Sequence, residues 1–196
     1  MYEQLFSQIK ENVLNKLKGL NENLFYHSAG HTLDVTKQAE RIALKENITD
    51  PNDLFLLKVA ALYHDTGFLF IYTNHEEKSC SIFKADAVQY GFSKSDVNKV
   101  CNIIMATKIP QTPVTKLEEI ICDADLDYLG REDFTAISEK LRNEFIIYGI
   151  VKNMEAWEKL QLVFLKNHKF FTATSIKERN ALKQKHLERI IASVAG

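Results

Sequence analysis

Two of the chain's six histidines fall four positions apart in FYHSAGHTLDV, residues 25–35. Four positions is about one helical turn, so His27 and His31 can face one cavity. A third histidine adjoins an acid, His64-Asp65, at the end of the apolar run in AALYHDTGF, and acids recur as Asp123, Asp125 and Asp127 in CDADLDYLG. A His-Asp doublet ending an apolar helix is costly if buried without partners. One divalent cation would remove that cost by pairing with the carboxylates and accepting the imidazole lone pairs. His31, His64, Asp65 and Asp125 offer two nitrogens and two oxygens, a set suited to Mn, Fe, Co, Ni or Zn, with Mg a further option and Ca less suited. Four protein ligands leave an octahedral ion two places for water or substrate oxygens. That is what phosphate-ester hydrolysis needs: an acidified water and a polarised phosphoryl oxygen.

Each residue also has a plainer reading. A lone histidine at a helix end is commonly structural, and the DADLD acids would also suit a solvated turn. Lys108, ending IIMATK before a loop, offers a cation to a phosphate or simply complements a helix C-terminus. Lys58, a charge inside LFLLKVAAL, offers the same or snorkels to the surface. Glu76 and Glu77 could orient a water, although carboxylates at a helix start need no such role. His75 reads as a first-turn surface residue. His168, with Phe170 and Phe171, either closes over a pocket or joins the core, and His186 carries no assignment.

These side chains need a scaffold, and the spacing of apolar residues makes it helical. Three prolines and seven glycines punctuate the chain, and the segments between them repeat apolar residues at helical intervals. Helices are predicted over residues 2–18 and 30–47, and from Asp50 and Pro51 to the His-Asp doublet. The next begins at Asn74, read as a cap with Glu77 completing a capping box, and Gly91 ends it. Ser93 caps another that stops before Pro110, and a loop pinned by Pro110 and Pro113 follows. Further helices are expected at 117–129, 132–148, 154–168 and 175–194. EFIIYGIV could form a strand, but its neighbours favour helix. The expected architecture is all-α, one compact domain of about eight or nine helices, with a metal-site core over about 26–130 and helices of 131–196 packing on it.

Composition narrows the function classes. With 25 Lys and Arg against 26 Asp and Glu, the formal charge is −1, which argues against a general grip on polymeric nucleic acid. Apolar residues make up 45% of the chain, enough for a real core. Cys80, Cys101 and Cys122 form no CxxC pair and fit free buried thiols in a reducing cytosol. No signal peptide or membrane span is expected from the apolar runs, so the expectation is a cytoplasmic protein.

The ordered set resembles the HD-domain metal-dependent phosphohydrolases. YHSAGHTLDV is similar to that family's YHNxxHxxxV, AALYHDTGF to its AxLxHDxG, and DADLDYLG to its ADL element. NHEEKSCSIF, IIMATK and CDADLDYLG together resemble a narrower group with NEExSA, ILATK and DADLxxLG segments. The match spans about residues 26–130, with a weaker echo in LKNHKFF and KERNALKQKHL. The resemblance implies His31, His64, Asp65 and Asp125 as ligands of one metal ion, Asp125 being chosen because it stands where the family has the ADL acid, with Asp123 and Asp127 as supporting or capping residues and Asp123 the nearer competitor for the ligand position. It implies His27 as proton donor to the leaving oxygen, a task suited to an imidazole, unless His27 merely packs beside Tyr26. Ser28 stands where the family has asparagine. Between His64-Asp65 and Asp125 the chain carries only His75, so a second metal and the oxygenase chemistry that needs it are disfavoured. The implied function is hydrolysis of a small phosphomonoester or phosphodiester, a nucleotide among the candidates, by an acidified water. Lys108 or Lys58 would then neutralise phosphate charge. The alternative is a non-catalytic sensor that binds metal and nucleotide. Neither reading requires a membrane, and both allow a homo-oligomer.

Overall fold

Helix starts in this chain are fixed by the residue that precedes them. Ser28, Asp50, Ser93, Thr115 and Asn153 each accept a backbone N–H from the first turn of the helix that follows, which satisfies donors that the helix itself leaves free. Thr115 does so within a full capping box closed by Glu118. The computed structural model describes residues 2–195, and among them it contains nine α-helices, two short 3-10 turns and no strand. The helices are α1 (Tyr2–Leu17), α2 (Ala29–Lys45), α3 (Pro51–Tyr63), α4 (His75–Ala87), α5 (Lys94–Ala106), α6 (Lys116–Asp125), α7 (Phe134–Ile147), α8 (Met154–Asn167) and α9 (Ala173–Ala195). The 3-10 turns cover Thr66–Leu69 and Asp127–Gly130.

α3 organises the first half of the fold. All nine residues from Phe55 to Tyr63 are buried, and a helix apolar on every side belongs inside a protein. It is enclosed by α1, α2 and α5, so its C-terminal end delivers His64 and Asp65 into the interior. α2 lies against both α3 and α6, which brings the start of α2 and the end of α6 to the same place. A second apolar cluster joins Tyr26 and Leu129 to Phe134, Leu165, Phe170 and Leu187. Through it the C-terminal helices cover the 3-10 turn that follows α6. No helix among the described residues is long and apolar enough to cross a membrane.

Three local expectations need correction. Asn74 does not cap α4: its backbone is left-handed, with φ 58°, a conformation asparagine tolerates. Its side chain instead accepts from Lys108 Nζ at 3.0 Å. The predicted helix over 117–129 divides, because α6 ends at Asp125 and a 3-10 turn follows. α4 stops at Ala87, before Gly91, whose φ of +69° turns the chain toward α5. His27 lies just outside α2, as expected, since α2 begins at Ala29 with Ser28 as its cap. The first half of EFIIYGIV, residues 144–147, completes α7 and the rest turns away from it, and all three cysteines are free and buried.

Gly67, two residues after the His-Asp doublet, lies against the first turn of α4. A Cβ placed there would stand 1.9 Å from the His75 carbonyl oxygen, an approach that backbone atoms can relieve only by moving apart. Its N–H donates to Ser79 Oγ at 2.8 Å, and Ser79 in turn donates to the His64 carbonyl at 2.6 Å. Gly67→Ala should therefore destabilise by about 1–3 kcal/mol, lowering Tm by roughly 2–4 °C per kcal/mol in a chain of this size. A thermal melt unchanged by the substitution would show that this contact is slack.

Candidate metal centre and its cavity

His31 enters from the start of α2, His64 and Asp65 from the end of α3, and Asp125 from the last residue of α6. Their donor atoms meet. His31 Nε2 lies 3.1 Å from Asp125 Oδ1 and 3.3 Å from Asp65 Oδ2. His64 Nε2 lies 3.1 Å from Asp65 Oδ2 and 3.5 Å from Asp125 Oδ1, and the two nitrogens are 3.4 Å apart. Donor atoms held ~2.0–2.2 Å from one ion stand roughly 3–3.5 Å from their neighbours, so this spacing fits a single coordination shell.

Two further observations fit a cation. His64 Nδ1 donates to the Ala61 carbonyl at 2.8 Å, which places that nitrogen's proton and leaves the Nε2 lone pair facing the cluster. Asp65 Oδ2 is buried and accepts no hydrogen bond despite two imidazole nitrogens within 3.3 Å. A buried carboxylate oxygen in that position calls for a positive partner. In the protein alone that partner is a proton on the imidazoles. Burial disfavours charged His31, but Asp125 and Asp65 outweigh it and push its pKa up to about 9. His64 is raised for the same reasons, with Asp65 the stronger neighbour. Against burial, the two imidazoles hold Asp65 and Asp125 below the usual carboxylate range.

Beside the cluster, His27 is braced by Glu144 of α7, a residue that nothing in its local sequence singled out. Glu144 is fully buried. Its Oε2 accepts the backbone N–H of Tyr26 at 2.9 Å and of His27 at 3.2 Å, while Oε1 takes the Tyr72 hydroxyl at 2.9 Å and a short contact from His27 Nδ1. Burial would raise the Glu144 pKa, but His27 and the donated hydrogen bonds hold it below the ordinary value. The His27 ring stacks on Phe68, with centroids 4.0 Å apart. The other face of this arrangement corrects the reading of His75 as a surface residue. His75 stacks on Phe68 at 3.9 Å and brings Nε2 to 3.4 Å from Asp65 Oδ1. Glu76 is buried next to it, with Oε1 3.6 Å from His75 Nε2.

Other candidates are held elsewhere. Lys58 pairs with Glu40 at 2.8 Å and lies over the Phe6 ring at 4.4 Å, so its charge serves the α1–α3 packing. Lys108 binds Asn74 and Glu77 at the surface, and its neighbours Thr107 and Ile109 line the cavity instead. Asp123 accepts the Phe171 and Thr172 N–H groups and the Thr172 hydroxyl, all within 2.8 Å, and thereby anchors the approach to α9. Asp127 takes Arg41 at 2.8 Å and Arg179 at 2.9 Å. His168 stacks on Phe164 beside Lys183, and burial together with that ammonium lowers its pKa to about 3. Phe170 belongs to the second apolar cluster, and His186 stacks on Phe134 at 4.4 Å.

A cavity of about 330 Å³ opens from this centre, reaching Asp65, Asp125, His27, His75 and Glu76 at one end. Proton linkage at the cluster gives a measurable expectation. His31's folded pKa lies above its unfolded value of 6.5, so the stability it supplies is full below 6.5 and is lost as pH rises through about 9. A divalent ion takes neutral imidazoles, so its affinity should rise across that same window and its binding should release protons. Calorimetric titration with Mn²⁺ near pH 7.5, in two buffers of different ionisation enthalpy, should show at least about one proton released per ion. His64→Ala should lose the binding. Ion binding without proton release would contradict the arrangement.

The comparisons with known proteins agree with this architecture. Residues 28–127 match the family model described as HD domain. The crystal structure of Bacillus subtilis YpgQ in complex with ADP is similar with a TM-score of 0.66 and 23% identity, over 100% of this chain and 98% of that one. At that identity the likeness concerns the fold. A comparison with curated proteins gives no sequence match. The matched segment begins at the cap of α2, ends two residues beyond Asp125 and takes in all four converging side chains, and the chain belongs to the HD domain family, typically metal-dependent phosphohydrolases.

Proposed function

We propose that the chain is a metal-dependent phosphohydrolase acting on a small phosphorylated substrate of the nucleotide class. The observation that carries this reading is the juxtaposition of a four-donor cluster with a carboxylate-braced histidine at one end of one cavity. His31, His64, Asp65 and Asp125 would hold the ion. A divalent ion bound there acidifies a water and neutralises charge on a phosphoryl oxygen.

The protein's own groups do the rest. Glu144 accepts from His27 Nδ1, which leaves Nε2 as the ring nitrogen that would carry a transferable proton, by the logic of a carboxylate-oriented general acid. His27 Nε2 would give that proton to the leaving oxygen. Phe68 fixes the plane of the ring by stacking on it. Glu76, buried at the cavity edge, is placed to accept a hydrogen bond from a water, and His75 keeps it company through Asp65. Lys58 and Lys108 have no part in this reading because acids elsewhere engage them. The cavity volume, about 330 Å³, sits at the low end of ligand pockets, roughly 300–1,000 Å³, and suits a mononucleotide-sized molecule over a polymer. The ADP in the YpgQ crystal structure supports a nucleotide. Three free buried thiols fit a reducing, cytoplasmic setting.

The donor role of His27 is tested by varying the leaving group. His27→Ala should cut kcat by about 10²–10⁴-fold on a nucleoside or alkyl phosphate, whose leaving oxygen needs a proton, and much less on p-nitrophenyl phosphate. Mn²⁺ affinity should remain. Glu144→Gln should fall between wild type and His27→Ala in the same assay. Equal losses on both ester types would contradict proton donation by His27, and turnover that survives exhaustive chelation would contradict metal dependence.

A further inference from the structure

Away from the ion cluster the cavity changes character. It runs along α7 and α8, where Leu141, Phe145, Trp157, Leu160 and Phe164 form its walls. Phe145 and Trp157 meet edge to face, 88° between planes with centroids 5.8 Å apart, making a corner of two aromatic surfaces. Gln161 is the polar side chain contributed by these two helices among the described lining residues, and it brings both an amide donor and an acceptor. No lysine or arginine lines the cavity among the described residues. Beyond the cluster and its histidines, then, nothing on these walls neutralises a chain of phosphates.

A flat, uncharged group with a polar edge matches those walls better than a charged or purely aliphatic one. Bases stack on aromatic side chains through either face, and a side-chain amide can pair with the donor and acceptor pattern of a base edge. We infer that the α7–α8 end of the cavity is a nucleobase site. Trp157, Phe145 and Phe164 hold the faces of the base, and Gln161 pairs with its edge. Recognition then depends on the base and little on the number of phosphates, of which one reaches the ion cluster and any others extend toward the cavity mouth. The link to the cluster rests on the phosphohydrolase reading above, whereas the base site stands on its own walls.

Trp157 is the chain's single tryptophan, so its emission reports on this wall and on the neighbouring groove that Trp157 also lines with Ser138, Arg142 and His186. Titrating the full chain with adenosine, which has no bond to hydrolyse, should give a saturable change in that emission. AMP and ADP, added with a chelator, should bind within about threefold of each other, while ribose 5-phosphate should leave the emission unchanged. Gln161→Ala, at a half-buried position, and Phe145→Leu, at a residue that lines this cavity and not the neighbouring groove, should each weaken adenosine by about fivefold or more. No saturable response to adenosine would overturn the base site, as would a response to hexyl phosphate at lower concentration than to adenosine. A chain that hydrolyses aryl phosphates while adenosine leaves Trp157 unchanged loses this inference alone. A chain that binds adenosine yet hydrolyses no ester with any added divalent ion keeps the base site and loses the phosphohydrolase reading.

Discussion

Two carboxylates and two imidazoles from three helices converge at one point of the interior, with donor atoms 3.1–3.5 Å apart, and that concentration of charge constrains the rest of the molecule. Asp65 and His64 are buried because α3 is too apolar to lie anywhere but the centre. Once there, they need counter-charges, and removing one partner from such a buried group typically costs about 3–5 kcal/mol. α2 and α6 supply the counter-charges with His31 and Asp125. Asp65 Oδ2, buried without a hydrogen bond, is balanced in the protein alone by protons on His31 and His64, and a divalent ion held by the same donors would take the place of those protons.

The C-terminal helices give that centre its reach. Glu144 of α7 accepts the backbone N–H groups of Tyr26 and His27, so His27 is fixed by a helix more than a hundred positions later. Asp123 does the converse, using a carboxylate next to the cluster to anchor the chain entering α9. Between these ties lies the apolar chamber, closed by α8. Charge is thus gathered at one end of a cavity whose other end is almost free of it. In the proposed reading, that division would separate two tasks, handling phosphate and accommodating what the phosphate is attached to.

How far this was legible in the sequence depends on the range of each interaction. Helix type and most boundaries follow from local causes: apolar spacing, and caps such as Ser28, Asp50, Ser93 and Thr115. His31, His64, Asp65 and Asp125 stand in short words whose order could be matched to a family. The choice of Asp125 over Asp123 rested on that match, and the structure places Asp123 against the residue 171–172 backbone instead. Glu144 carries no such mark. It is one glutamate before an apolar run, and its meaning comes only from contacts across more than a hundred residues. His75 was misread because a first-turn helix position is usually exposed; the close approach of Gly67 to the His75 backbone is what draws it inward. Asn74 shows the opposite error, its expected capping role giving way to a contact with Lys108, while Lys58 and Lys108, each open to two readings in the sequence, pair with Glu40 and Glu77.

The central claim is that Asp125 and the α3 doublet share one ion with His31. The most direct measurement is Mn²⁺ affinity, read by the loss of free-ion electron paramagnetic resonance signal, for the wild-type chain and for the near-isosteric Asp125→Asn. The account predicts one ion per chain and a loss of affinity of at least about tenfold in the variant, with the circular dichroism of the helices unchanged. Equal affinity in the two proteins, or no ion bound by either, would contradict it.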